Sequence, residues 1–242
     1  MIIWISSYPK SGNTYLRSFL SSYYYSKEGN FDFNLLLNIN QFPASRYSDV
    51  KSYTYFDAAK NWIYNQKKFF TKEKLFFLKT HNSLQEYLGY RFTKSSETLG
   101  AIYIVRDPRN VITSMCNHYS MSLNEMYSKL VDENASLSIK DSDGDLSNFS
   151  FLGSWSNHYK SWKNNFEFKT LFIKYEDLEE NAYEEFWKIL TFIEELTGKN
   201  EPINKRKFEN SINSTNFSSL KQKEKLHGFK ESPTFEKNNK TN

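Results

Sequence analysis

Residues 2–20 read IIWISSYPKSGNTYLRSFL and join three local patterns in one short segment. The run at 2–6 is typical of a buried strand in a parallel sheet, and it stops at residues 7–9. Beyond Gly12, the apolar residues within 15–20 recur at helical spacing. A strand, a glycine-containing turn and a helix therefore follow one another, which is a typical unit of an α/β fold.

Similar apolar runs recur along the chain and alternate with helical patterns. The further strands are predicted at 75–80, 100–105 and 170–175. Helices are predicted at 110–131, 155–166 and 182–196, and the aromatic stretch 31–74 reads as mostly helical with loops around Pro43. We therefore predict an α/β fold with a parallel β-sheet flanked by helices on both faces.

Two segments of the sequence each fit two interpretations. The aromatic residues of 31–74 fit either a hydrophobic core or the lining of an acceptor pocket. The acidic, polar stretch 132–150 reads as a loop or a mobile lid. We expect one domain over 1–233 and a polar C-terminal tail over 234–242.

Composition and charge exclude several classes of protein. The chain has 242 residues with 32 Lys and Arg against 28 Asp and Glu, and its net charge is +4. A single cysteine excludes a disulfide framework, and four scattered histidines predict no metal site. No apolar run reaches the roughly 18 residues of a membrane span, and no basic run indicates a nucleic-acid partner. The N-terminus lacks the basic leader of a signal peptide, so we expect a cytoplasmic protein.

The turn between the first strand and the first helix has the composition of an anion-binding loop. Gly12 allows close approach of the backbone, Ser11, Asn13 and Thr14 add polar side chains, and Lys10 adds a full charge. A helix N-terminus at this point contributes its positive dipole end. The lysine precedes the glycine, so the loop does not match the Walker A pattern. The alternative is an ordinary N-capped turn without a ligand.

Two other strand ends carry residues suited to chemistry. Lys79 and His81 follow the second strand, and Arg106 follows the third, with Ser114 in the helix after it. Because the carboxyl ends of parallel strands share one rim, we expect these side chains near Lys10. His81 is then a candidate general base and Arg106 a candidate anion ligand. The alternatives are a structural histidine and a salt bridge at the start of the helix.

The sequence at these positions resembles the sulfotransferases that use 3′-phosphoadenosine 5′-phosphosulfate. Their first motif, close to Tyr-Pro-Lys-Ser-Gly-Thr-Thr-Trp, is matched by YPKSGNTY at 8–15. Their Lys-Thr-His element matches 79–81, and their Arg with a Ser eight positions later matches Arg106 and Ser114. Further matches occur in the family's order, namely Gly153-Ser154-Trp155 with His158 and Trp162, then Tyr175-Glu176-Asp177-Leu178, and Thr215 with Phe217.

The resemblance implies a three-layer architecture like that of P-loop nucleotide-binding proteins, and it implies how the donor is bound. Lys10 would contact the 5′-phosphosulfate, and residues 11–14 would wrap the 5′-phosphate. Arg106 and Ser114 would hold the 3′-phosphate. The residues expected around the adenosine are Tyr15, Tyr175, Thr215 and Phe217.

The resemblance also implies the reaction. His81 would take a proton from a hydroxyl, or less often an amine, of a small-molecule or carbohydrate acceptor. Lys79 would lie beside the transferring sulfuryl group, and Lys10 would stabilise the bridging oxygen without a metal. Sulfuryl transfer is similar to phosphoryl transfer in that positioning and charge stabilisation do most of the work.

The chain departs from the family pattern at three points. Asn13 stands where Thr is usual, and Tyr15 where Trp is usual. The glycine-rich segment that closes over the 3′-phosphate in family members has no counterpart between Gly228 and Asn242. Two other functions therefore stay open from the sequence, a non-catalytic binder of adenosine phosphates and a nucleotide-dependent phosphotransferase.

Overall fold

The computed structural model describes residues 1–69, 74–138, 143–199 and 202–227. Its main sheet has four parallel strands, in the spatial order β2-β1-β3-β6. The strands of the chain are β1 (Ile2–Ser7), β2 (Phe76–Thr80), β3 (Thr98–Val105), β4 (Ser136–Leu137), β5 (Ser150–Phe151) and β6 (Thr170–Lys174).

Helices follow β1, β3 and β6 of the main sheet, whereas residues 81–97 between β2 and β3 contain no helix. The α-helices are α1 (Asn13–Tyr25), α2 (Tyr55–Gln66), α3 (Pro108–Tyr119), α4 (Leu123–Val131), α5 (Trp155–Lys163), α6 (Tyr175–Glu180), α7 (Ala182–Thr197), α8 (Lys205–Thr215) and α9 (Phe217–His227). Short 3-10 helices lie at Phe33–Asn38, Ser45–Tyr47 and Lys67–Phe69.

Strand β1 lies at the centre of the sheet and pairs with both β2 and β3. Its residue Ile5 lies opposite Lys79 on one side and Ile102 on the other. Every residue of β1 is buried, as expected for a parallel strand covered on both faces. The carboxyl ends of the four strands therefore meet at one rim, where residues 8–12, 81, 106 and 175 follow them.

Two hydrophobic clusters cover the two faces of the sheet. On one face, Ile3 and Ile5 pack with Phe19 of α1, Phe186 of α7 and Phe208 of α8. On the other face, Ile2 and Trp4 pack with the large residues of α2 and α5, among them Trp62 and Trp162. Alternate residues of β1 thus point to opposite layers, and burying each large side chain contributes roughly 1.5–3 kcal/mol. The predicted parallel sheet between helical layers is confirmed.

The helix predicted over 110–131 is interrupted. Ser120 adopts a left-handed conformation with φ 55°, and α3 ends there. Ser122 then caps α4, because its hydroxyl accepts from the backbone of Glu125 while the Glu125 carboxylate accepts from the backbone of Ser122. The apolar spacing continues across the break, which is why the pattern predicted one helix.

Of the two roles expected for 132–150, a loop or a mobile lid, the described residues at 145–149 fit a loop that packs against the protein. Asp145, Leu146 and Phe149 are buried. The Asp145 carboxylate accepts from the backbone of Ser52, and the Phe149 ring stacks on Trp62 at 5.8 Å. Residues 145–149 therefore pack beside α2, whereas 132–134 are exposed and residues 139–142 lie outside the description.

The stretch 31–74 is less helical than predicted, since 55–66 is its one α-helix among the residues described. Phe42, Trp62 and Phe69 are buried, which favours the core interpretation of its aromatic residues. Tyr175 begins α6 and does not extend the last strand. The segment 228–233 and the tail 234–242 lie outside the residues described, so the domain boundary stays a prediction.

Candidate active site

The turn after β1 forms a concave loop at the rim of the sheet, which we call the cradle (residues 8–14). Lys10 has φ 65° and Gly12 has φ 92°, so the backbone reverses its usual handedness twice within three residues. A Cβ atom at Gly12 would overlap the Tyr175 ring, and only glycine fits there. Gly12 is the N-cap of α1, and no side chain caps this helix end. The cradle is therefore not an ordinary side-chain-capped turn, and its geometry suits an anion.

The polar side chains of the cradle do not all face the same way. The Asn13 amide donates to the Ile5 carbonyl at 3.1 Å and to the Ser7 hydroxyl at 3.2 Å, so its hydrogens point into the protein. Its contribution to a phosphate is then expected from its backbone N–H. The hydroxyl of Ser11 is buried and has no hydrogen-bond partner among the described residues. Such an orphaned donor is what a bound phosphate would satisfy.

Arg106 lies against the cradle from the neighbouring strand. Its Nη1 donates to the Lys10 carbonyl at 3.1 Å, and its Cζ lies 4.3 Å from the centre of the Tyr175 ring. Its Nε is buried without a partner among the described residues. The Tyr175 hydroxyl donates to Glu179. Arg106 is thus fixed next to the loop by a hydrogen bond and a cation–π contact, and its unpaired Nε–H suits an anion.

The salt bridge at the start of α3 is made by a different arginine. Arg109 pairs with Asp107, whose carboxylate also accepts from the Arg109 backbone. Hydrogen bonds from Arg109 lower the pKa of Asp107 to about 2. Arg106 takes no part in this pair, so the salt-bridge alternative accounts for Arg109 and not for Arg106.

His81 reaches the same rim from β2. His81 is only 8% exposed, and its Nδ1 lies 2.7 Å from the carbonyl oxygen of Ser7. A carbonyl oxygen can only accept, so Nδ1 carries the hydrogen and Nε2 of the neutral ring has the lone pair. Lys79 lies two residues earlier, half-buried, with its backbone bonded to Asn40 and Phe42. The geometry gives His81 the tautomer of a base.

The remaining predicted residues lie in the helices α1, α3, α8 and α9. Ser114 is half-buried in α3, and the Tyr15 ring packs edge-on against Phe186. Thr215 is buried with its hydroxyl on the Ser211 carbonyl, whereas Phe217 is 70% exposed. Among the described residues, no hydrogen bond or ring contact joins Thr215 or Phe217 to the cradle.

Sequence reasoning assigned no role to the buried side chains that contact the backbone of His81. His158 is fully buried, with Nε2 3.0 Å from the His81 carbonyl and Nδ1 2.8 Å from the Tyr103 hydroxyl. Burial lowers the pKa of His158 to about 4, and the hydrogen bond to His81 acts in the opposite direction. The sequence feature that could have indicated these side chains was the Gly153-Ser154-Trp155 motif with His158 and Trp162. Ser154 of this motif is the N-cap of α5.

The lowered pKa of His158 predicts an acid-sensitive fold. In the unfolded chain a histidine binds its proton below about pH 6.5, whereas folded His158 stays neutral down to about pH 4. The free energy of unfolding should therefore fall by about 3 kcal/mol between these two pH values and gain nothing above pH 6.5. Urea unfolding should show that the free energy of unfolding falls more steeply with decreasing pH in the native protein than in His158→Gln. If the free energy of unfolding depends on pH in the same way in both proteins, the lowered pKa of His158 is contradicted.

Within the described residues, no group of three or more His, Cys, Asp or Glu is arranged to hold a metal ion. None of the helices described there has the length and hydropathy needed to cross a membrane.

Comparison with known proteins supports the fold. Mouse sulfotransferase SULT7A1, solved with PAP, matches with a TM-score of 0.53 and 19% identity over 91% of this chain and 65% of that one. Retinol dehydratase, solved with androsterone and PAP, matches with a TM-score of 0.58 and 13% identity over 92% of this chain and 66% of that one. The chain thus spans about two thirds of the length of these solved proteins.

At the level of sequence, the comparison with curated proteins gives no significant match. The model of one protein family, described as "Sulfotransferase domain", matches residues 2–241. That match covers the cradle, His81 and Arg106 together with the rest of the fold, and the resemblance seen in the sequence is confirmed. The chain therefore belongs to the sulfotransferase family.

Proposed function

We propose that this protein transfers a sulfuryl group from 3′-phosphoadenosine 5′-phosphosulfate to a hydroxyl, or less often an amine, of a small-molecule or carbohydrate acceptor. The observation that carries the proposal is the meeting of three groups at one rim of the sheet. These are the cradle at 8–14, Arg106 bonded to the cradle, and His81 with its Nε2 lone pair. Family membership supports the choice of sulfuryl over phosphoryl transfer.

The donor would be held by its two phosphates and its adenosine. The backbone of 11–14 and Lys10 suit the 5′-phosphosulfate, and the orphaned donors of Ser11 and Arg106 fit anionic oxygens. Arg106 and Ser114 would bind the 3′-phosphate. The residues proposed for the adenosine are Tyr15, Tyr175, Thr215 and Phe217. PAP is named with both solved proteins compared above, which supports this donor.

In the proposed reaction the acceptor oxygen attacks sulfur while the bond from sulfur to the bridging oxygen breaks. The electron pair of that bond stays on the 5′-phosphate of the leaving 3′,5′-diphosphoadenosine. Lys10 stabilises the negative charge that develops on the bridging oxygen, and Lys79 lies beside the sulfuryl group. His81 accepts the proton of the attacking hydroxyl at Nε2. Androsterone and retinol are named with retinol dehydratase, which supports a small-molecule acceptor here.

The 3′-phosphate site can be tested by binding alone. The native protein should bind 3′,5′-diphosphoadenosine more tightly than adenosine 5′-phosphate. Because charge-assisted hydrogen bonds contribute roughly 1.5–3 kcal/mol, Arg106→Ala should weaken binding of the diphosphate about 10-fold to 100-fold in calorimetric titrations. Arg109→Ala is the matched control, since Arg109 is exposed and pairs with Asp107, and it should bind normally. Equal affinity of the native protein for both nucleotides would show that no 3′-phosphate site exists.

A further inference from the structure

Helix α5 holds the segment that carries His81 by two buried hydrogen bonds. His158 Nε2 lies 3.0 Å from the His81 carbonyl oxygen, and Trp162 Nε1 donates to the Asn82 carbonyl at 3.0 Å. His158 and Trp162 are four residues apart, so they lie on the same face of the helix. Neither side chain is exposed at all. Two successive carbonyl groups after β2 are thus fixed by α5.

The partners of His158 determine which of its nitrogens carries the hydrogen. The His81 carbonyl can only accept, so Nε2 of His158 must donate. Burial keeps this ring neutral at ordinary pH, so Nδ1 is an acceptor and the Tyr103 hydroxyl donates to it at 2.8 Å. Tyr103 therefore fixes the tautomer that His158 needs in order to hold His81.

The side chain of His81 is fixed from the opposite side by the end of β1. Its Nδ1 donates to the Ser7 carbonyl, and the Ser7 hydroxyl in turn accepts from the Asn13 amide. The backbone of His81 and its imidazole are therefore anchored separately, by His158 and by Ser7. If the backbone anchor moved, the hydrogen bond from Nδ1 to the Ser7 carbonyl would lengthen and Nε2 would change its position.

We propose that His158 is a positioning residue that, through its hydrogen bond to the His81 carbonyl, keeps His81 as the Nδ1–H tautomer with Nε2 facing the acceptor. The expected effect on kcat rests on the proposed function, whereas the expected tautomer of His81 does not. Tyr103 supports the same arrangement from behind. His158 itself touches no substrate.

The kinetic test compares two replacements of His158. His158→Met removes the donor to the His81 carbonyl and should lower kcat about 10-fold to 10²-fold, the scale of a base displaced by about 1 Å. His158→Gln places an amide N–H near the position of Nε2 and should recover most of kcat. Both variants should bind 3′,5′-diphosphoadenosine within about twofold of the native protein, since the cradle is not involved. His118→Gln is the control for histidine replacement elsewhere. Unchanged kcat in a folded His158→Met variant would overturn the proposal.

A spectroscopic test needs no activity. Nitrogen-15 NMR of the imidazole rings distinguishes the two neutral tautomers, and the native protein should show His81 as Nδ1–H and His158 as Nε2–H. In His158→Met, or in Tyr103→Phe should the first variant not fold, the His81 signals should shift toward a mixture of tautomers. A native His81 in the Nε2–H form, or signals that neither variant changes, would overturn the proposal. A native protein with the expected tautomers and no sulfuryl transfer would refute the proposed function instead.

Discussion

We expect the His81→Ala variant to lose sulfuryl transfer by about 10²-fold to 10⁴-fold, the contribution of a positioned proton-transfer group. An acceptor hydroxyl attacks poorly until its proton is removed, and the base in the proposed reaction is Nε2 of His81, whose Nδ1 is bonded to the Ser7 carbonyl. The loss should appear in kcat at saturating donor. Binding of 3′,5′-diphosphoadenosine should stay near the native value, because the proposed role of His81 is toward the acceptor and not the adenosine.

A second replacement separates the base from its structural hydrogen bond. In His81→Asn the side-chain amide can still donate to the Ser7 carbonyl in place of Nδ1, but no atom replaces Nε2. This variant should fold as the native protein does and be as inactive as His81→Ala. Should His81→Asn retain most of the native kcat, some other group is the base.

Replacing Lys10 by methionine should lower kcat by about 10²-fold or more, the scale of losing one preorganised charge-stabilising group. Methionine preserves much of the side chain's length and removes its charge, so the loss belongs to the transition state, in which charge develops on the bridging oxygen. Lys10 is half-buried on the cradle, so we expect little change in the free energy of unfolding.

The matched control for Lys10 is Lys60→Met, because Lys60 is exposed in α2, outside the cradle. It removes the same charge from the protein while leaving the rim intact. Native kcat in Lys60→Met with a large loss in Lys10→Met would assign the effect to the cradle. Near-native turnover in purified Lys10→Met would remove Lys10 from the reaction.

The parts of the fold that sequence could predict are those set by local pattern. The run at 2–5 is apolar because β1 is covered on both faces, and Gly12 is needed where φ is positive and the Tyr175 ring lies close. Parallel pairing brings residues 81 and 106 to the rim, since the ends of parallel strands meet there. Their place at the rim could therefore be predicted from the order of the strands alone. The order of strands and motifs therefore sufficed to predict the cradle and its neighbours.

The parts that sequence missed depend on contacts between distant residues. Asp145, Leu146 and Phe149 lie in a mostly polar stretch, yet they are buried through contacts with residues far away in the chain, such as Asp145 with the backbone of Ser52 and Phe149 with the Trp62 ring. In the same way, nothing local to His158 indicates that it bonds to the backbone of His81. The break at Ser120 was hidden because the apolar spacing runs on through it.

The central claim is tested most directly by sulfur-labelled 3′-phosphoadenosine 5′-phosphosulfate offered with a panel of alcohols, phenols and sugars in the presence of a metal chelator. The account predicts that label moves to at least one acceptor, with one 3′,5′-diphosphoadenosine released for each label transferred. A parallel assay with phosphorus-labelled ATP and magnesium should give no transfer. Tight binding of the nucleotide with no label on any acceptor would contradict the account and favour a non-catalytic binder, and magnesium-dependent transfer from ATP alone would favour a phosphotransferase.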